Sequence, residues 1–289
     1  MNRITSSTRA IGLIGHPIEH SLSPIMQNAA INHCGLDFCY LAFNVLPENL
    51  EEAVKGMLSL GFVGFNVTIP YKEAVIKYID ELDENACLIG AVNTVVIKDG
   101  KTYGYNTDGK GFLESLKKDG VLYKGKKILI IGAGGAAKAV ATALAVEGAL
   151  KITIANRNLK RAWELAEHIK KIGTESFAVG LNSDEVLRFE LRQADIIVNA
   201  TPVGMYPNTN MIPISDMSCI NPEAVVCDLI YNPIQTLFLK TAREMGCKVI
   251  DGSGMLLYQG VEAFRLFTGI KPPVEVMYRA LHDELWRKV

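Results

Sequence analysis

The chain has 289 residues, 49% of them hydrophobic, which describes a globular protein of about two domains and excludes a disordered or fibrous one. Its 30 basic and 31 acidic residues leave a net charge of -1, without the basic excess that a nucleic-acid partner selects. No apolar run approaches the ~20 residues of a membrane helix, the first twenty residues lack a secretory core, and the cysteines at 34, 39, 87, 219, 227 and 247 form no C-x-x-C pair. A cytoplasmic protein with reduced cysteines, no membrane contact and no structural metal is therefore expected.

The first strand is expected at 10–14, running into Gly15-His16-Pro17-Ile18-Glu19-His20-Ser21-Leu22-Ser23-Pro24. His16 and His20 stand four apart, but Pro17 opposes a helix between them and no further ligand cluster accompanies them. Ser23 suits an N-cap and Pro24 the first position of a helix over 25–34. Two readings of Ser21 and Ser23 are open: turn and cap formers, or two hydroxyls that hold a small carboxylate at a helix start. A strand over 38–45, an amphipathic helix over 50–60 closed by Gly61, and a strand over 64–69 make this region α/β with a parallel or mostly parallel sheet.

That third strand ends in Asn66-Val67-Thr68-Ile69-Pro70-Tyr71-Lys72. Alternation sets Asn66 and Thr68 on one side, and Pro70 stops the strand before a helix expected to carry Lys72. Polar groups at the carboxyl end of a strand in an open sheet face the usual ligand crevice, although a lysine there can equally be a solvated surface residue. The stretches 90–96 and 104–109 flank a hairpin turning at Gly100. Asn93 and Asp108 read as turn formers or as polar ligands of a polyhydroxylated molecule.

Residues 126–137, Lys-Lys-Ile-Leu-Ile-Ile-Gly-Ala-Gly-Gly-Ala-Ala, read as strand, tight turn and helix start. Gly132, Gly134 and Ala137 fit G-x-G-x-x-A: the first glycine for the turn, the second for backbone approach to a pyrophosphate, the alanine for close helix packing. The loop residues Gly132, Ala133, Gly134, Gly135 and Ala136 would present free N–H groups to that anion. A helix from 136 and a second strand over 151–155 complete the βαβ start. That strand ends in Asn156-Arg157-Asn158-Leu159-Lys160-Arg161, where an NAD site usually carries an acid for the ribose and an arginine suits a 2′-phosphate. A basic helix start on the surface is the other reading; the cations favour NADP (NADPH), with Asn156, Arg157 and Arg161 on the phosphate. Strands are expected at 194–200, 224–230 and 247–250, helices at 237–245, 256–267 and 273–286, with Gly252 and Gly254 marking a sharp exit. Met205 and Leu229 read by pattern as ordinary packing residues.

Taken in order, His20-Ser21-Leu22-Ser23-Pro24, 64–72, Gly90-Ala91-Val92-Asn93-Thr94, Tyr105-Asn106-Thr107-Asp108-Gly109, 132–136, Asn199-Ala200-Thr201-Pro202-Val203-Gly204-Met205, Asp228-Leu229-Ile230-Tyr231-Asn232-Pro233 and 252–260 closely resemble the shikimate dehydrogenase family. The resemblance implies two α/β domains: a substrate-binding domain at 1–108 plus 255–289 with a mostly parallel sheet, and a Rossmann-type doubly wound NADP-binding domain at 109–254. The last helices would return to the first domain; separately from the resemblance, short connections between the two α/β units suggest a hinged cleft. It implies reversible reduction of 3-dehydroshikimate to shikimate, in aromatic amino acid (chorismate) biosynthesis. Ser21 and Ser23 would bind the carboxylate with Tyr231 assisting; Asn66, Thr68, Asn93 and Gln259 would hold the hydroxyls; Lys72 and Asp108 would be the catalytic pair, both also touching substrate. Thr201, Val203, Met205 and Leu229 would line the nicotinamide end, with Gly252 among the cofactor-binding positions. Asn158 departs from the family's threonine. A homodimer is one assembly the sequence allows. The nearest alternative is a quinate/shikimate dehydrogenase using NAD or NADP; a non-catalytic NADP-binding sensor is remoter, because Lys72 and Asp108 are both kept.

Overall fold

The structure, a computed structural model, describes residues 4–182 and 184–287. The chain divides into two compact units, one built from the chain up to Gly111 and from Leu257 onward, the other from Phe112–Leu256.

The first unit contains β1 (Arg9–Gly15), α1 (Ser23–His33), β2 (Phe38–Asn44), α2 (Leu50–Ser59), β3 (Gly64–Val67), β4 (Glu81–Leu82), α3 (Glu84–Ile89), β5 (Thr94–Lys98) and β6 (Lys101–Tyr105). Its sheet runs β2-β1-β3-β5-β6-β4. β1 pairs parallel with both β2 and β3, whereas β5 is antiparallel to β3 and β6, and β4 rejoins β6 in parallel. The sheet is therefore mixed, because Asp99 (φ 52°) and Gly100 (φ 74°) supply the two left-handed residues of a tight hairpin. One apolar cluster, including Ile14, Val54, Met57, Phe65, Val67 and Val95, fills the space between this sheet and α2. α2 packs closely over β1 at Gly12, where a Cβ would stand 2.9 Å from Met57 Cε.

The second unit follows α4 (Asp108–Lys118) with β7 (Lys127–Ile131), α5 (Gly135–Val146), β8 (Lys151–Asn156), α6 (Leu159–Ile172), β9 (Glu175–Gly180), α7 (Asp184–Gln193), β10 (Ile196–Asn199), β11 (Val225–Asp228), α8 (Leu237–Glu244) and β12 (Lys248–Ile250). All its strands are parallel in the order β12-β11-β10-β7-β8-β9. This is the doubly wound order, and its direction of winding reverses between β7 and β10. Strand residues feed two clusters alternately: Ile128, Ile130, Ile152 and Val198 on one face, Leu129, Ile131, Ile197 and Val226 on the other. Continuous apolar runs such as 128–131 are what burial on both faces requires. α9 (Ser253–Thr268) and α10 (Val274–Arg287) complete the chain, and α10 packs on α1 in the first unit.

Two local expectations are corrected. Ser23 does not cap α1: it is the helix's first residue, Leu22 is the N-cap, and no side chain caps the end. Lys72 is not on an α-helix; it lies in a turn before a 3-10 segment, Ala74–Tyr78. β9, α7, β4 and α3 are additional to the elements read from the sequence.

Candidate active site

The substrate half begins at the end of β3. Asn66 and Thr94 are direct partners across β3 and β5, and Asn66 donates to Thr94 Oγ1 (2.9 Å) and to the Asn93 carbonyl (3.0 Å). Its carbonyl oxygen accepts from the Tyr40 hydroxyl at 2.8 Å. Both hydrogens of the Asn66 amide are thus committed, and its oxygen keeps one lone pair. Asn93 is tied more completely. Its Oδ1 accepts from Thr107 N–H (2.9 Å) and Thr94 Oγ1 (2.9 Å), and its Nδ2 donates to Thr107 Oγ1 (2.9 Å) and Asp108 Oδ1 (2.8 Å). The backbone donor fixes which end of the amide is oxygen.

Asp108 opens α4, and its own N–H donates to Asn106 Oδ1 (3.0 Å). Its second oxygen, Oδ2, takes the Lys72 ammonium at 2.5 Å; the Lys72 side chain is 16% exposed and that of Asp108 4%. The lysine's backbone is anchored by Val92 N–H on its carbonyl (2.7 Å). An unbroken polar chain therefore runs Tyr40, Asn66, Thr94, Asn93, Asp108, Lys72. Lys72 is neither a freely solvated lysine nor a core residue; Asn93 stands in a bend and Asp108 at the start of α4, both tied into the polar chain.

Of the other residues expected at the substrate, Ser21, Ser23, Thr68 and Gln259 lie in the same unit as this chain, and Tyr231 lies in the second. A Cβ at Gly15 would meet Thr68 Cγ2 at 2.4 Å, so the bare glycine at the end of β1 lets Thr68 in. The loop leaving Gly15 is held by His16 Nδ1 on Asn44 Oδ1 (2.8 Å), Asn44 on Glu19 (3.1 Å) and Ile18 N–H on Glu19 (3.0 Å). Ser21 Oγ accepts a long contact from Ser23 N–H (3.4 Å). Gln27 Nε2 donates to the Gly260 carbonyl (2.8 Å) and ties α1 to α9. Gln259 is seated on Gly111, where a Cβ would come within 2.6 Å of its backbone nitrogen. Ser23, Gln259 and Asp108 are thereby fixed within one unit.

The positions expected to bind a cofactor lie in the second unit, around the ends of its strands. Gly132 has φ 118° and donates to the Ala155 carbonyl (2.8 Å); a Cβ there would lie 3.0 Å from the Ala200 carbonyl oxygen. Gly134 is the extended N-cap of α5, with no side-chain cap, no acid in the first turn, and open space where a Cβ would be. An uncapped helix start with bare backbone fits a pyrophosphate. β7 and β8 pair through Ile131 and Ala155, which brings Asn156 and exposed Arg157 beside Gly132 with no acid between them. Asn158 caps α6, accepting from Arg161 N–H (3.3 Å). That cap explains its presence without a ligand. Met205 is 40% exposed and is not core, whereas Leu229 packs partly against the apolar cluster. Gly252 admits no side chain, a Cβ meeting the Leu229 carbonyl at 2.3 Å. Tyr231 lies after β11 in this unit, and burial pushes its phenol above the ordinary value.

Tyr40 in the first unit and Thr236 in the second lie outside the sequence motifs, and Thr94, Thr107, Asn199 and Asp228 stand within motifs that give them no role of their own. Asp228 is buried against Asn199 and Thr236, and burial raises its carboxyl to about 7, against the opposing effect of hydrogen bonds from Thr236, Ile230 N–H and Asn199. No group of three or more potential metal ligands occurs among the described residues, and none of their helices is long and apolar enough to cross a membrane.

Three family models cover the chain in sequence: a shikimate dehydrogenase substrate binding domain over 13–95, a shikimate / quinate 5-dehydrogenase over 115–213, and a shikimate 5′-dehydrogenase C-terminal domain over 252–282. A shikimate dehydrogenase (NADP+) of Methanopyrus kandleri is 52% identical over 284 residues, 98% of each chain. A crystal structure of a shikimate dehydrogenase in complex with NADP+ superposes with a TM-score of 0.90 at 49% identity, covering 98% of both chains. The quinate dehydrogenase of Corynebacterium glutamicum in complex with NAD gives 0.86 at 37% identity, covering 96% of this chain and 99% of that one. With relatives of this identity along its whole length, the chain belongs to the shikimate dehydrogenase family.

Proposed function

We infer that this chain is a shikimate dehydrogenase that reversibly reduces 3-dehydroshikimate to shikimate with NADPH, a step of aromatic amino acid biosynthesis. The observation that carries the reading is the Lys72–Asp108 pair, a nearly buried ammonium held on a carboxylate that Asn93 aims. When bound, NADPH supplies the hydride. Negative charge builds on the ketone oxygen as the carbon is reduced, and the Lys72 ammonium, within hydrogen-bond reach, stabilises that charge and gives the oxygen its proton. In the oxidation direction the neutral amine takes the hydroxyl proton. Asp108 holds the lysine in place and favours its charged form.

Ser21 and Ser23 donate to the ring carboxylate; neither hydroxyl caps α1. Asn66, through its remaining lone pair, accepts from a ring hydroxyl, and Thr68 and Gln259 hold the others. Asn93 acts through Asp108, since both of its amide hydrogens are taken. Tyr231 assists at the carboxylate. In the second unit the 132–136 loop takes the pyrophosphate, Asn156, Arg157 and Arg161 take the 2′-phosphate, and Thr201, Val203, Met205, Leu229 and Gly252 border the nicotinamide. The cationic end of β8, with no acid for a ribose diol, supports NADP over NAD.

Initial rates with shikimate and with quinate, each with NADP+ and NAD+, test the reading. The expected result is preference for shikimate with NADP+; equal or greater rates with quinate and NAD+ would replace it by the quinate reading.

A further inference from the structure

Beneath the ends of β10 and β11 lies a buried polar set that the proposed reaction does not use. Asn199 and Asp228 are the last residues of the two strands and direct partners in register; they are 0% and 1% exposed. Asp228 Oδ1 accepts from Asn199 Nδ2 (3.0 Å) and Ile230 N–H (3.1 Å), and Oδ2 accepts from the Thr236 hydroxyl (2.8 Å). Asn199 spends its other hydrogen on the Val203 carbonyl (3.3 Å), and its oxygen accepts from Thr201 N–H (3.0 Å) and Thr201 Oγ1 (2.7 Å). Thr201 Oγ1 in turn accepts from Val203 N–H (3.3 Å).

One buried carboxyl group thus holds both segments that leave the sheet beside the switch point. Through Asn199 it fixes 201–203, and through the Ile230 N–H it fixes 229–230, whose carbonyl end is bound by Gly252 N–H (3.0 Å). A buried acid is a poor source of stability, since apolar residues of similar volume often serve as well or better. What a fully satisfied buried network supplies is a single geometry.

We propose that Asp228, acting with Asn199 and Thr236, is a positioning residue that sets the backbone at 201–203 and 229–230 for the nicotinamide half of the cofactor. The proposal rests on the reading that these segments border the nicotinamide. It gives the nicotinamide half a support separate from the glycine loop and the Arg157 segment, which serve the phosphates.

The test measures calorimetric binding of NADP+ and of adenosine 2′,5′-bisphosphate, which lacks the nicotinamide half, together with single-turnover hydride transfer at saturating NADP+ and shikimate. Asp228→Ala should weaken NADP+ binding roughly tenfold or more and slow transfer by a similar factor, on the scale of a buried donor left unsatisfied. Binding of adenosine 2′,5′-bisphosphate should stay within about twofold of the parent. Asp228→Asn, which keeps one oxygen for Asn199 and Ile230, should restore most of both losses. Should Asp228→Ala fail to fold, Thr236→Val carries the test with smaller shifts in the same pattern. Equal weakening of both ligands, or no effect on either, would overturn the proposal. Failure of the unaltered protein to bind adenosine 2′,5′-bisphosphate would instead remove the underlying cofactor reading, and the proposal with it.

Discussion

Asn93 donates to Asp108 Oδ1 at 2.8 Å while its own oxygen is pinned by the Thr107 backbone N–H at 2.9 Å. The carboxylate that holds Lys72 is therefore aimed by an amide that cannot flip without losing a backbone hydrogen bond. Replacing Asn93 by alanine removes a hydrogen bond to a charged group, worth about 1.5–3 kcal/mol. We expect Asn93→Ala to lower kcat by roughly 10- to 100-fold with the KM for NADP+ unchanged. A kcat within about twofold of the parent would show that Lys72 and Asp108 orient each other unaided.

Tyr40 makes a second such prediction from the other end of the polar chain. Its hydroxyl is buried, and burial raises its pKa, so it is a neutral donor to Asn66. Tyr40→Phe keeps the ring and leaves the Asn66 oxygen short of a buried partner, at a cost of about 1–3 kcal/mol. Chemical denaturation should show that loss. The KM for shikimate should rise while that for NADP+ does not; equal changes in both would assign Tyr40 to stability alone.

Cofactor choice is expected to depend on the cations after β8. Arg157→Ala should raise the KM for NADP+ by about 10- to 100-fold, the value of one charged hydrogen bond, and change that for NAD+ little. A matched rise for both cofactors would return Arg157 to the solvated helix start that the sequence also allows.

How much was legible follows from which signals are local. The glycine loop, the apolar strand at 127–131 and the cations of 156–161 lie within a few residues of one another, and the 3.6- and 2-residue periods locate their elements directly. Pro70 ending a strand points to a helix at Lys72, but only a 3-10 segment follows. Pro24 makes Ser23 a cap candidate, yet the helix begins at Ser23 itself. Tyr40 and Asn66 meet from β2 and β3, the two strands that flank β1, and Asn199 finds Asp228 only through the register of β10 and β11. No periodicity within one segment reports such pairs; sheet order does.

Asp228 gives a pH prediction. Burial raises its carboxyl from 3.8 to about 7, so between about pH 4 and pH 7 the native protein binds a proton that the unfolded chain has released. Stability from this group is complete below the unfolded value and is lost as pH rises toward the native one. Asp228→Asn cannot make that loss, so its unfolding free energy should increase relative to the parent's between about pH 5 and about pH 8. Urea denaturation at both values checks this, and a constant difference would mean that Asp228 is ionised throughout.

The most direct test of the account is single-turnover oxidation of shikimate by NADP+ with Lys72→Ala, followed as NADPH appears, alongside calorimetric binding of shikimate. The account predicts a rate lower by on the order of 10²- to 10⁴-fold, the usual worth of a positioned proton carrier, with shikimate affinity changed only modestly. An undiminished rate would contradict it, because the proton would then pass by a route that does not involve the Lys72 amine.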